Sequence, residues 1–182
     1  MALKSVGLCD LSGLTKLGVK GNDAADWLSI RNVDVPQTIY ESRRLADGGI
    51  IVRLAADEFL LESGIKNKTV PELLALLNTN GGLLCRIERQ EATFLLVGAR
   101  AFDVLAQTCG INFRDQAPGQ LVLSRLAGVS CGILPESVGE WTAFRLWIDV
   151  SYAVYLWETL LQICEDLGGS LIGAGCLFPE LQ

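Results

Sequence analysis

Glu140 and Trp141 stand side by side in Val138-Gly139-Glu140-Trp141-Thr142, just ahead of a strongly apolar run. A carboxylate next to a flat aromatic face is a pairing that suits a planar heterocycle with amide-like donors, the acid accepting in-plane hydrogen bonds while the indole stacks. A turn glutamate beside an exposed Trp is the other reading of the same residues. The remaining acids are placed as solvated surface groups: Asp57-Glu58 in a turn, Asp23 and Asp26 on a short helix, Glu165-Asp166 near a helix end. Histidine is absent from all 182 residues, which removes the usual base near neutral pH and excludes Ser-His-Asp, Cys-His and HExxH chemistry.

Phosphate loops are missing as well. Gly13 and Gly18 have the Walker spacing, but Val19 stands where Lys is needed, and Gly173-Ala174-Gly175 reaches Phe178 instead of a third glycine. With 15 Lys+Arg against 21 Asp+Glu the net charge is -6, which opposes an extended phosphate-binding surface and argues against nucleic acid as a partner. Cys9, Cys85, Cys109, Cys131, Cys164 and Cys176 are scattered through apolar stretches without a CxxC pair, and are read as buried reduced thiols, a metal or redox site being the other reading. The opening residues show no basic flank followed by an apolar stretch, and no apolar run approaches a bilayer span. The expected setting is therefore cytoplasmic, without a membrane partner.

Aromatic residues speak to partners. Trp141, Trp147, Tyr152, Tyr155 and Trp157 fall within 17 residues, and on the last helix Tyr152 and Tyr155 share a face while Trp157 points elsewhere. Large apolar surface on both sides of one helix fits a subunit interface through Trp147, Tyr152, Tyr155 and Trp157, or else a larger core.

The elements that must position these residues repeat. Residues 14–20 alternate as a strand, and Gly21 opens a short helix with Asn22 as N-cap; residues 93–98 form a second strand whose Gly98 leads into the helix ARAFDVLAQTC. Each pair is followed by a hairpin, 48–54 with 57–63 and 127–134 with 143–149, and each hairpin by a helix. The first helix opens on Thr69-Val70-Pro71-Glu72, a capping-box spacing, and stops at Asn80-Gly81-Gly82. The second starts after Ser151, turns Val154, Trp157, Leu160, Leu161 and Cys164 inward, and stops at Gly168-Gly169. Residues 83–88 read as a strand crossing between halves and 112–120 as a surface loop. The fold class expected is α+β: a single domain, 1–182, of two pseudo-twofold-related β-α-β-β-α halves, about 1–82 and 83–182.

The segments TFLLVGARAFDVLAQTCGINF (93–113), PGQLVLSRLAGVSCGIL (118–134) and FRLWIDVSYAVYLWETLLQICEDLG (144–168) resemble the γ subunit of heterotetrameric sarcosine oxidase, as does DEFLLES (57–63). The match covers most of residues 48 to 168. VGLCDLSGLTKLGVKGNDAADWLS (6–29) looks like the opening of the wider folate-binding superfamily that contains the glycine-cleavage aminomethyltransferase. That resemblance implies the folate-binding, aminomethyltransferase-like fold. In the aminomethyltransferase a Gly-Gly pair is followed by paired aspartates, whereas here Gly48-Gly49 is followed by Ile50-Ile51-Val52-Arg53. The family's Thr-Gly-Glu-x-Gly-aromatic-Glu element, which supplies a pterin-site glutamate, corresponds to Val138-Gly139-Glu140-Trp141-Thr142-Ala143-Phe144-Arg145. The resemblance therefore makes Glu140, Trp141 and Arg145 the ligand-side residues. The Cys-centred motif of the folate-dependent iron–sulfur maintenance proteins is absent.

Taken with the absent histidine and the missing acid pair, the resemblance implies a non-catalytic accessory subunit, γ-like, that packs against larger flavoprotein subunits of a sarcosine oxidase-type complex and carries no cofactor alone. A stand-alone tetrahydrofolate-binding protein of one-carbon metabolism is the alternative, and a self-associating module forming a homo-oligomer without ligand is the third reading.

Overall fold

The computed structural model describes residues 4–80 and 83–178. In chain order the elements are β1 (Gly7–Asp10), β2 (Lys16–Lys20), α1 (Ala24–Ser29), β3 (Ser42–Arg44), β4 (Ile50–Ala55), β5 (Glu58–Glu62), α2 (Thr69–Asn80) and β6 (Cys85–Ile87). There follow β7 (Ala92–Val97), α3 (Ala101–Thr108), β8 (Val122–Leu126), β9 (Val129–Val138), β10 (Trp141–Ile148), α4 (Ala153–Asp166), β11 (Ser170–Leu171) and α5 (Ala174–Leu177). Strand, helix, hairpin, helix thus occurs twice in an α+β chain with two sheets, and two compact units carry the two copies.

Residues 14–90 make one unit, an antiparallel sheet in the order β3-β4-β5-β2-β6. Alternation puts Leu17, Val19, Ile51, Phe59 and Leu61 on one face, where Trp27 and Leu28 of α1 and Val70, Leu73 and Leu77 of α2 cover them. Residues 83–88 do not bridge two sheets: Cys85–Ile87 pairs with β2 and closes this sheet's edge. Asn22 does not cap α1 either. Asp23 holds the N-cap position and makes no side-chain capping bond, because Gly21 at φ 145° already turns the chain and Ala24 N–H reaches its carbonyl at 2.9 Å.

The start of α2 is held from a distance, not by a local box. Thr69 is already helical, and the acceptor is Asp47, whose Oδ2 takes the N–H groups of Lys68 (3.1 Å) and Thr69 (3.0 Å). Its Oδ1 takes those of Gly49 (3.0 Å) and Gly64 (3.3 Å). One carboxylate thereby ties the β3–β4 turn, the end of β5 and the helix N-terminus together. Glycine is required where they meet: a Cβ on Gly64 would lie 1.9 Å from the Asp47 carbonyl oxygen, and one on Gly49 2.4 Å from that of Glu62. The stop expected at Gly81-Gly82 lies outside the described residues.

The second unit combines the residues before 14 with those from 91 on, in a sheet ordered β11-β1-β7-β10-β9-β8. All pairings are antiparallel except β1 with β11. Leu8, Phe94, Leu96, Ile133, Phe144 and Leu146 meet Val104 and Leu105 of α3 and Leu156, Leu160 and Cys164 of α4 in one core. The opposite face, with Thr93, Leu95, Val97, Ala143 and Arg145, is buried as well, which is why β7 and β10 read as continuous apolar runs. Pro135 is tolerated inside β9 because its nitrogen faces the side where β8 has already ended; there Gly119 N–H reaches the Pro135 carbonyl at 2.8 Å.

Two expectations for this unit are corrected. Val154 does not point inward but is 70% exposed. The buried stripe of α4 runs through Leu156, Leu160 and Cys164, four residues apart, and Val154 lies about 120° around the helix from its centre at Leu160. Residues 112–120 are not wholly a surface loop, since Phe113 turns inward in a single 3-10 turn and meets Phe144 edge-on at 5.6 Å.

Candidate functional site

Gly139 and Glu140 are the two-residue turn between β9 and β10, with Gly139 at φ 58°, and Glu140 is exposed there. Trp141, half-buried, opens β10 opposite Val138. Alternation carries Trp141, Ala143, Arg145 and Trp147 along one face of the strand, so Arg145 sits roughly 13 Å beyond Trp141. At 4% exposure its guanidinium meets a partner the sequence did not suggest: Nε donates to Glu136 Oε1 at 2.9 Å, and both side chains are almost wholly buried. A buried cation requires such a counter-ion, and this was the available signal, since an Arg inside FRLWI calls for an acid on a neighbouring strand. The other unit has an equivalent in Lys16–Glu62, directly opposite on β2 and β5 at 3.5 Å and also buried.

A pterin's amide-like edge needs a carboxylate desolvated beside the stacking surface. Within this unit Glu140 is in solvent and Arg145 is engaged by Glu136, so the three do not converge on such a pocket. The acid beside Gly48-Gly49 is Asp47. Asp47 is taken up by four main-chain donors; burial alone would raise its pKa, but the bonds from Thr69, Gly49, Lys68 and Gly64 outweigh it and hold it below the usual carboxylate range. Arg53, four residues beyond Gly49, clamps the carbonyls of Pro36, Gln37, Ala55 and Ala56 and lies over the Phe59 ring.

The sulfur chemistry is quiet. All six cysteines are free, but they are not all buried as expected: Cys85 and Cys176 are exposed, Cys109 is half-buried, and only for Cys9, pushed up to about 11, and Cys131 and Cys164, pushed up to about 12, does burial hold the thiol protonated. No cluster of metal-ligating side chains occurs among the described residues. A cleft of about 260 Å³ beside α3 has its charges matched internally, Arg114 lying over Phe102 at 4.5 Å and 3.6 Å from Asp103.

The four aromatics read as a partner surface divide into two pairs. Trp147 is buried on the strand face it shares with Arg145, and Trp157, half-buried, packs edge-on against Phe94 at 5.0 Å at the border of the core. Tyr152 and Tyr155 are half exposed, and Val150 and Val154 join them as further exposed apolar residues at the start of α4. Tyr155 Oη donates to the Ala127 carbonyl at 3.1 Å, anchoring this patch to the β8–β9 turn.

The sequence profile of the GCVT N-terminal domain matches residues 1–178. The chain belongs to this family. Its fold is the folate-binding, aminomethyltransferase-like one. The GCVT chain superposes on the glycine cleavage system aminomethyltransferase T from Bartonella henselae with a TM-score of 0.74 at 21% identity, covering 94% of this chain and 48% of that one. It also superposes on a chain of the heterotetrameric sarcosine oxidase from Corynebacterium sp. U-96, solved with pyrrole 2-carboxylate, with a TM-score of 0.72 at 18% identity, covering 94% and 90%. The chain thus spans about half the length of the aminomethyltransferase it matches. No curated protein sequence matches it. Among the described residues no helix is long and apolar enough to cross a membrane.

Proposed function

We propose that this GCVT-family chain is a non-catalytic accessory subunit, similar to the γ chain of heterotetrameric sarcosine oxidase, that stabilises a complex with larger flavin-bearing subunits. The observation that supports this reading best is the fold match to a chain of a heterotetrameric sarcosine oxidase, with a TM-score of 0.72 over 94% of this chain. The chemistry agrees, because the acid next to Gly48-Gly49 is consumed by the fold, Arg53 stands beyond it, and histidine is absent. The exposed group Val150, Tyr152, Val154 and Tyr155 supplies apolar surface for assembly.

Co-expression with the two larger subunits of a sarcosine oxidase-type complex, followed by size-exclusion light scattering, tests it. A stoichiometric heteromer that Tyr152→Asp/Val154→Asp dissociates is expected. A chain that stays apart and binds tetrahydrofolate in calorimetry, with affinity falling in Glu140→Gln, is the outcome that replaces it with the folate-binding reading.

A further inference from the structure

β8 is the terminal strand of its sheet, and among the described residues no strand pairs with its outer side. Ala127 and Gly128 form the β8–β9 turn with φ of 48° and 85°, the two positive values of a type I′ hairpin. In such a hairpin the flanking pair Leu126/Val129 exchanges both main-chain hydrogen bonds, and the alternation then gives Ser124/Cys131 and Val122/Ile133 as bonded pairs. The Gly119–Pro135 bond continues the same alternation on β9. Leu123 and Arg125 therefore aim their N–H and C=O groups away from β9, and no described residue takes them up.

Three further features converge on this edge. It has neither proline nor bulge, two of the devices that blunt a free strand. Leu123 is 58% exposed and borders an open groove of about 720 Å³ in which Gly132, directly opposite, adds no side chain. Arg125 is exposed, and among the described residues it has no hydrogen-bond or ion-pair partner. We propose that the edge of β8 is a strand-addition site that takes an extended segment of a partner chain carrying a carboxylate opposite Arg125. Main-chain pairing to Leu123 and Arg125 supplies the affinity, and the cross-strand charge pair sets the register.

A second copy of this chain is disfavoured as the occupant. Antiparallel self-pairing centred on Ser124 brings the two Arg125 side chains within roughly 7 Å on one face, a like-charge diagonal. The acid must come from a different sequence. The proposal rests on the accessory-subunit reading for the partner's existence, while the edge itself can be examined without the partner.

The test uses the full ¹⁵N-labelled chain titrated with two end-blocked peptides, Thr-Val-Glu-Val-Thr-Val and the same sequence with Lys in place of Glu. The expected result is amide shifts at Leu123 and Arg125, with the Glu peptide binding about three- to tenfold more tightly. Arg125→Glu should invert that preference. Leu123→Pro removes an outward N–H without costing a bond to β9, and should abolish binding of both peptides with the unfolding temperature retained. Equal binding of the two peptides, no shifts at millimolar peptide, binding unaffected by Leu123→Pro, or a homodimer that Leu123→Pro dissociates would each overturn the proposal. Heteromer formation that survives Leu123→Pro and Arg125→Glu would overturn it and leave the accessory reading standing. Peptide binding by a chain that does not assemble would do the reverse.

Discussion

Removing the Asp47 carboxylate should loosen the unit of residues 14–90 without touching any chemistry. Asp47→Ala leaves four main-chain donors, on Gly49, Gly64, Lys68 and Thr69, without their acceptor. Hydrogen bonds to a charged group are worth about 1.5–3 kcal/mol each when buried. Asp47 is only half-buried, so water replaces part of the loss, and the expected cost is about 2–4 kcal/mol, or about 5–15 °C in unfolding temperature. Asp47→Asn keeps one acceptor but turns an amide toward Lys68 and Thr69, for about half that cost. The pH dependence has a definite sign. Since the folded pKa is depressed, the contribution is fully present above the unfolded value of about 3.9 and is lost as pH falls through the folded value. The gap between wild type and Asp47→Ala should therefore narrow below about pH 4. Thermal unfolding by circular dichroism across pH 2.5–7 (roughly the span needed to bracket both values), with hydrogen exchange at the four amides, reads both effects. A cost under ~0.5 kcal/mol near neutral pH, or one that persists undiminished in acid, would refute the view that this acid is bound up in the fold.

Other consequences are simpler to state. Glu136→Leu alone should destabilise by about 3–5 kcal/mol by leaving Arg145 buried beside an apolar group, while Glu136→Leu/Arg145→Met should recover much of that in urea unfolding; an additive double variant would show that the pair is not coupled. Gly64→Ala should destabilise severely, because its Cβ has backbone 1.9 Å away, and a normal melting curve would contradict the geometry of that crossing. In the native chain Cys85 and Cys176 should be alkylated first, well before Cys9, Cys131 and Cys164, whose burial keeps them protonated; mass spectrometry after brief maleimide treatment gives the order.

The repeat was legible in the sequence because its cues are local: Gly21 and Gly98 at strand ends, alternating runs, and capped helices follow from period and turn chemistry alone. What escaped depends on pairing across distance. Asp47 reaches α2 through a carboxylate 22 residues upstream of Thr69, so a local Thr69–Glu72 box looked sufficient. Glu136 finds Arg145 only once β9 and β10 are in register. The α4 stripe was mixed because Val154, Trp157 and Leu161 are as apolar as Leu156; only the depth of the core separates them, and it places Val154 outside. Trp147 and Trp157 looked like interface for the same reason, composition giving no sign that both faces of the β7–β10 layer are buried. The free edge of β8 was equally hidden, for its outward-facing groups emerge from a register fixed at Ala127-Gly128.

Mass by light scattering on the chain co-purified with the larger flavin-bearing subunits, with calorimetry of the chain alone against tetrahydrofolate, separates a role in assembly from chemistry of the chain's own. An accessory role requires a fixed-stoichiometry heteromer, lost in Tyr152→Asp/Val154→Asp, and no saturable heat from the isolated chain. A chain that remains separate, yet binds tetrahydrofolate saturably with an affinity that Glu140→Gln weakens, would contradict it.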